Sequence, residues 1–177
     1  MTPRSSSTPF PPPRFGTLRN PRRPTYGPAV AAVAARLGTP LMPHQRHVAD
    51  VALETQPDGS LAYREVVFIG PRQGTGKTTL MLALQCWRGL SRWPSGRQRA
   101  VYTAQTRAKA RQKWEDDFVA AIEASPLGKL ARVRRRTGAE SIVWKPTRSI
   151  LALDAPTEDA GRGDTTDLAV LDEAWAH

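Results

Sequence analysis

Cysteine is almost missing from this chain: its 177 residues hold one, Cys86. A single thiol cannot build an internal disulfide framework, and neither it nor His44, His47 and His177 show the spacing of zinc ligands. Cys86 falls in a stretch that reads as a helix, where a lone cysteine acts as a small apolar residue, and this usage is compatible with a reducing compartment. Long apolar runs are missing too. No stretch reaches the roughly 20 residues of a membrane-spanning helix, and the N-terminus lacks the apolar core of a signal peptide. Acid is absent over long stretches: residues 66–114 carry ten basic residues and no Asp or Glu, and residues 1–28 carry five arginines and no acid. No internal repeat is visible.

What is present suits one domain with a tail. An apolar content of 40% over 177 residues can support a core. Residues 1–28 mix prolines and serines with Arg4, Arg14, Arg19, Arg22 and Arg23. Such a segment buries too little apolar surface to order itself, so a flexible basic arm is expected there and a folded domain over 29–177. The net charge of +10 attracts polyanions such as a nucleic-acid backbone, in a salt-dependent way. Arginine outnumbers lysine 21 to 5 and alanine is abundant, so codon bias in a GC-rich genome is the plain alternative source of that charge.

The stretch VVFIGPRQGTGKTTLML, residues 66–82, is the most informative. Val66 to Ile69 is a short apolar run that predicts a strand buried on both faces of a parallel sheet. Gly70 and Pro71 end it. Gly74 and Gly76 allow backbone angles that turn successive N–H groups inward around an anion, with Thr75 between them. Lys77 then opens a helix whose unpaired N–H groups and dipole already favour phosphate. Lys77 would reach the β- and γ-phosphates, Thr78 would offer its hydroxyl to Mg²⁺, and Thr79 would continue the helix. The match to the phosphate-loop pattern G-x-x-x-x-G-K-[ST] is offset by one, because the leading glycine is Gly70 and Pro71 occupies its place. An ordinary Gly-rich turn is the plain reading.

A phosphate loop needs an acidic partner, and TDLAVLDEAWAH, residues 166–177, supplies one. Leu168 to Leu171 is a second apolar run, expected to be buried, and it ends in Asp172 and Glu173. The aspartate can hold the Mg²⁺ that Thr78 touches, while the glutamate can polarise a water for attack on the γ-phosphate. Together these stretches predict an α/β fold: a P-loop NTPase of the additional-strand, catalytic-glutamate type, with a mostly parallel sheet flanked by helices and ending just after the acidic strand.

Elsewhere the pattern places a short helix over 28–37, a loop entering an amphipathic helix over 41–54, with Pro43 near its first turn, and a long helix over 106–124, capped by Thr106. Trp114, Phe118 and Ile122 recur on one face of the last helix, as core residues do. Strands are expected at 100–104, 132–136, 141–145 and 149–153, with a turn at Thr137-Gly138 and a Gly- and Asp-rich loop over 155–166. The run RVRRR is compatible with DNA contact and equally with a solvated strand face.

Four stretches, in order, resemble the large terminase subunit of tailed bacteriophages, the motor that packages DNA into procapsids. PHQ at 43–45 resembles its adenine-sensing motif. GPRQGTGKTT at 70–79 is similar to its phosphate loop, one residue longer than the usual PRQ-x-GK. YTAQTRAKARQKWEDDF at 102–118 looks like the strand and helix that follow. GRGDTTDLAVLDEAW at 161–175 is similar to its closing loop and acidic strand. The resemblance covers roughly residues 40–177.

By that resemblance Gln45 would contact the adenine edge, Arg72 would sense the γ-phosphate or stabilise transition-state charge, and Arg162 would be a weaker candidate for the same work or for DNA contact. Polar and surface positions without chemistry are the plain readings of Gln45 and Arg72. The family implies ATP and Mg²⁺, double-stranded DNA, a small terminase subunit, a portal protein and a homo-oligomeric ring, all in the host bacterial cytoplasm with no membrane association. Family members continue past their acidic strand into a metal-dependent nuclease domain, so this chain is expected to be a partial one without that domain. Two alternatives stand beside the motor: a nucleotide- or DNA-binding remnant without turnover, and a helicase-like ATPase, because DEAW is similar to the DEAD/DEAH signature.

Overall fold

Residues 13, 15–71, 74–94, 96–154 and 165–173 are described in the computed structural model of the chain. Five strands form one sheet in the order β2-β3-β4-β1-β5. These are β1 (Arg99–Thr103), β2 (Ala131–Arg134), β3 (Ser141–Trp144), β4 (Ile150–Leu153) and β5 (Leu168–Leu171). β1 runs parallel to β4 and β5, while β2 with β3 and β3 with β4 are antiparallel. The sheet is therefore mixed rather than mostly parallel, because the Thr137-Gly138 turn closes a short hairpin instead of a crossover.

The register places Ala100, Tyr102, Ile142, Leu151 and Leu153 on one face. Helix α3 (Lys77–Leu90) lies against it, so close at Gly89 that a Cβ there would meet Trp144 Nε1 at 2.1 Å. The long helix expected over 106–124 is broken into α4 (Arg107–Lys113), a π-helical turn (Trp114–Val119) and α5 (Ala120–Ala124). Thr106 does cap it, accepting from Lys109 N at 3.2 Å. Residues four apart drift around an α-helix of 3.6 residues per turn, and the wider π-turn absorbs that drift. Trp114, Phe118 and Ile122 consequently all sit at 0% exposure, and the Phe118 ring packs 4.8 Å from that of Tyr102. Each such side chain contributes about 1.5–3 kcal/mol of burial. The opposite sheet face is thinly covered: Val101 and Val143 are half-buried and Ala169 is exposed.

Helices α1 (Gly27–Arg36) and α2 (Pro43–Ala52) form a second layer against α3. Within the arm expected over 1–28, the described residues leading into α1 are anchored. Glu54, fully buried, accepts from Asn20 N at 2.7 Å, Arg19 Nη1 at 2.9 Å and Arg23 Nη1 at 3.3 Å. Burial pushes its carboxyl up, but that N–H and the two guanidiniums outweigh it and hold the group below the ordinary glutamate value. Charges that read as a solvated tail are thus spent in part on one buried acid.

Two expected strands differ. Residues 66–69 join no strand of the sheet, and Val66, Val67 and Ile69 are 53%, 81% and 88% exposed. β1 already has neighbours on both sides, so the run finds no place beside it. β5 forms as expected but lies at the sheet edge, with Leu171 half-exposed rather than buried.

Candidate functional site

The loop after residue 70 adopts the conformation its glycines allow. Gly74 and Gly76 have φ of +82° and +60°, the left-handed region that disfavours side-chain-bearing residues. Gly76 is the N-cap of α3, so the helix presents its first N–H groups from a glycine turn. Lys77 Nζ folds back to donate to Pro71 O at 2.6 Å, and Thr75 Oγ1 donates to the same carbonyl at 3.3 Å. Backbone and ammonium are gathered at one helix end, an arrangement suited to an anion. Arg72 and Arg162 lie outside the described residues.

Gln45 braces this loop from below. Its side chain is neither at an exposed helix turn nor open toward a base: the residue is 1% exposed. As the third residue of α2 it reaches back to accept from Met42 N at 2.7 Å, one half of a capping box. Its Nε2 donates to Gly76 O at 2.7 Å and lies 3.5 Å from Thr75 O. The packing is tight enough that a Cβ on Gly76 would stand 2.4 Å from that nitrogen. His44, to which sequence reasoning gave no role, places its Nε2 2.9 Å from Thr75 O. The PHQ stretch is therefore a support for the loop backbone.

The acidic side is assembled from three elements. Asp172, 5% exposed, follows β5, and its Oδ2 accepts from Lys113 Nζ at 2.5 Å and from the Tyr102 hydroxyl at 3.1 Å. Burial and the adjacent Asp172 carboxylate push the Tyr102 hydroxyl well up, so it stays a donor; Asp117 and Glu173 add to this through their charge. Glu173 has φ of +58°, an unusual backbone for a residue with a side chain and a form of strain that gathers at functional sites.

An open cleft of about 380 Å³ is lined by Thr39, Thr78, Thr79, Leu82, Asp116, Asp117 and Ala121. Thr78 and Thr79 bring it to the start of α3, and Asp116 and Asp117 bring it the π-turn. Asp117 lines the cleft with Thr78, and its charge adds to the upward push on the Tyr102 hydroxyl that donates to Asp172. No hydrogen bond joins Thr78 to Asp172 among the described residues, and Asp172 is paired instead with Lys113. Gly74, Thr75, Gly76, Lys77, Thr78 and Thr79 thus form one cluster and Asp172 and Glu173 a second, while the π-turn faces the first across the cleft.

Sequence reasoning missed Asp116 and Asp117, Tyr102, Lys113 and the work of His44. A pair of aspartates amid a core-facing helix was the available signal for the first two. Lys113 gave none, being one cation within a long basic stretch. No family model matches the chain, and neither a curated protein nor a solved structure matches it.

Proposed function

We propose that this chain is the ATP-binding and ATP-hydrolysing part of a DNA-packaging motor of the large-terminase kind, built on a P-loop NTPase fold of the catalytic-glutamate type. The observation that carries the reading is the left-handed Gly74–Gly76 loop that caps α3 and sets Lys77 at its start. A cleft at the start of α3 is lined by Thr78 and Thr79 and by the carboxylates of Asp116 and Asp117. The residues suit a magnesium triphosphate. The Gly74 and Gly76 angles expose backbone N–H groups, and the donors Thr78 and Asp172 are the hard oxygens that Mg²⁺ takes. When bound, that cation would neutralise charge on the phosphate oxygens. Lys77 leaves Pro71 O for a phosphate. Glu173 accepts the proton of the attacking water at its carboxylate. Arg72 supplies positive charge to the transferring phosphoryl group.

The same reading includes double-stranded DNA as the object moved, a ring of copies, a small subunit and a portal as partners, and the host bacterial cytoplasm as the place. No described helix is long and apolar enough to cross a membrane. A second reading, nucleotide binding without turnover, has its own support in the pairing of Asp172 with Lys113 and in the exposure of residues 66–69. Two variants separate them. Lys77→Ala should abolish ATP binding in calorimetry, and unchanged affinity would refute the phosphate site. Glu173→Gln should keep binding and stop ATP hydrolysis. A wild-type chain that binds ATP and never turns it over favours the second reading.

A further inference from the structure

Asp172 is the carboxylate that the proposed function requires as a cation ligand, and it is already occupied. Its side chain is 6% exposed, and the one oxygen Oδ2 receives both the Lys113 ammonium at 2.5 Å and the Tyr102 hydroxyl at 3.1 Å. A carboxylate so far removed from water is costly to bury without a positive partner, and Lys113 is that partner. Lys113 is the last residue of α4, directly before the π-turn whose Asp116 and Asp117 line the cleft with Thr78 and Thr79. Its own side chain is 30% exposed, so the ammonium has a route to solvent while Asp172 has little.

A divalent cation shared by Thr78 and Asp172 would give the carboxylate the same charge compensation. An ammonium and a divalent ion on one carboxylate stand a few ångströms apart and repel. We propose that Lys113 is an internal counter-cation: it holds the Asp172 carboxylate until a nucleotide-bound divalent ion takes its place, and then swings to solvent. This rests on the nucleotide reading of the same site and adds a positioning residue to it. Tyr102, on the same oxygen, stays throughout and keeps the carboxylate aimed. The exchange ties the occupancy of the site to the junction of α4 and the π-turn, the stretch that also carries the two acids of the cleft, Asp116 and Asp117.

The test uses the full chain with Mn²⁺ and a non-hydrolysable ATP analogue. Wild-type protein is acylated at its lysines and read by mass spectrometry. Lys109, exposed and bonded to Gln105 Oε1 at 2.6 Å, serves as the internal reference. Mn²⁺ with the analogue should raise Lys113 labelling at least threefold and leave Lys109 unchanged. Independently, Lys113→Met should bind Mn²⁺ in the nucleotide complex about tenfold more tightly by electron paramagnetic resonance, the factor a charge-assisted hydrogen bond commands. Lys113→Arg should stay near wild type. Binding of both ligands with no change in Lys113 labelling overturns the counter-cation alone, even if Lys113→Met fails to fold. If wild-type protein binds neither Mn²⁺ nor the analogue, the nucleotide reading falls and takes this proposal with it.

Discussion

Replacing Gln45 by alanine should loosen the phosphate loop without changing which base the protein prefers. The side chain is 1% exposed and makes two short hydrogen bonds, from Met42 N and to Gly76 O, both 2.7 Å. Each is worth roughly 0.5–1.5 kcal/mol, and the buried methylene lost with them adds about 0.8 kcal/mol. The expected destabilisation is about 2–4 kcal/mol, with the contact at 3.5 Å to Thr75 O left out as too long to count. For a chain of this size that lowers the melting temperature by about 4–16 °C. Denaturant unfolding followed by tryptophan fluorescence reads the first quantity. Calorimetry with ATP and GTP reads the second, and both affinities should fall by the same factor because the loop backbone, not the base, has lost its support. Unchanged stability with a loss confined to ATP would refute the bracing role and return Gln45 to the adenine edge.

Two further outcomes test the ionic parts of the structure. Glu54 is held below its ordinary value in the folded chain, so its contribution is complete above the unfolded value and is lost as pH falls through the lowered one. Glu54→Gln should therefore cost about 1–3 kcal/mol at neutral pH and flatten the acid side of the stability profile; an unaltered slope would show that Arg19 and Arg23 are idle. If the basic surface grips DNA, affinity should fall steeply from low to moderate salt, and exposed Arg132 and Arg134 on β2 should each reduce the log–log salt slope by about 1 when changed to alanine. A flat response leaves codon bias as the source of the charge.

Elements that depend on local chemistry were legible in the sequence. Thr106 announced its helix start, Thr137-Gly138 its turn, and the spacing of Trp114, Phe118 and Ile122 a core face, all as found. What failed depended on who lies next to whom. Val66 to Ile69 has the composition of a central strand, but composition does not supply a neighbour, and the run pairs neither with β1, flanked on both sides, nor with the edge strand β5. The π-turn was hidden because four-residue spacing also fits an α-helix within two turns. Arg19 and Arg23 were read as tail because their partner Glu54 is more than thirty residues away. At the site, the loop was readable from Gly74, Gly76 and Lys77, whereas the work of Gln45 and Lys113 follows from packing that no short motif encodes.

The two margins of the sheet are dressed differently. Along β2 the outward positions carry Arg132 and Arg134, like charges that discourage a second molecule from lining up there. Along β5 the outer margin is Leu168-Ala169-Val170-Leu171, uncharged and without a proline, with its outward amides and carbonyls unclaimed by any other strand among the described residues. Such a margin is a template for an extended apolar peptide, so handling this chain at high concentration invites edge-to-edge stacking through β5 and not through β2.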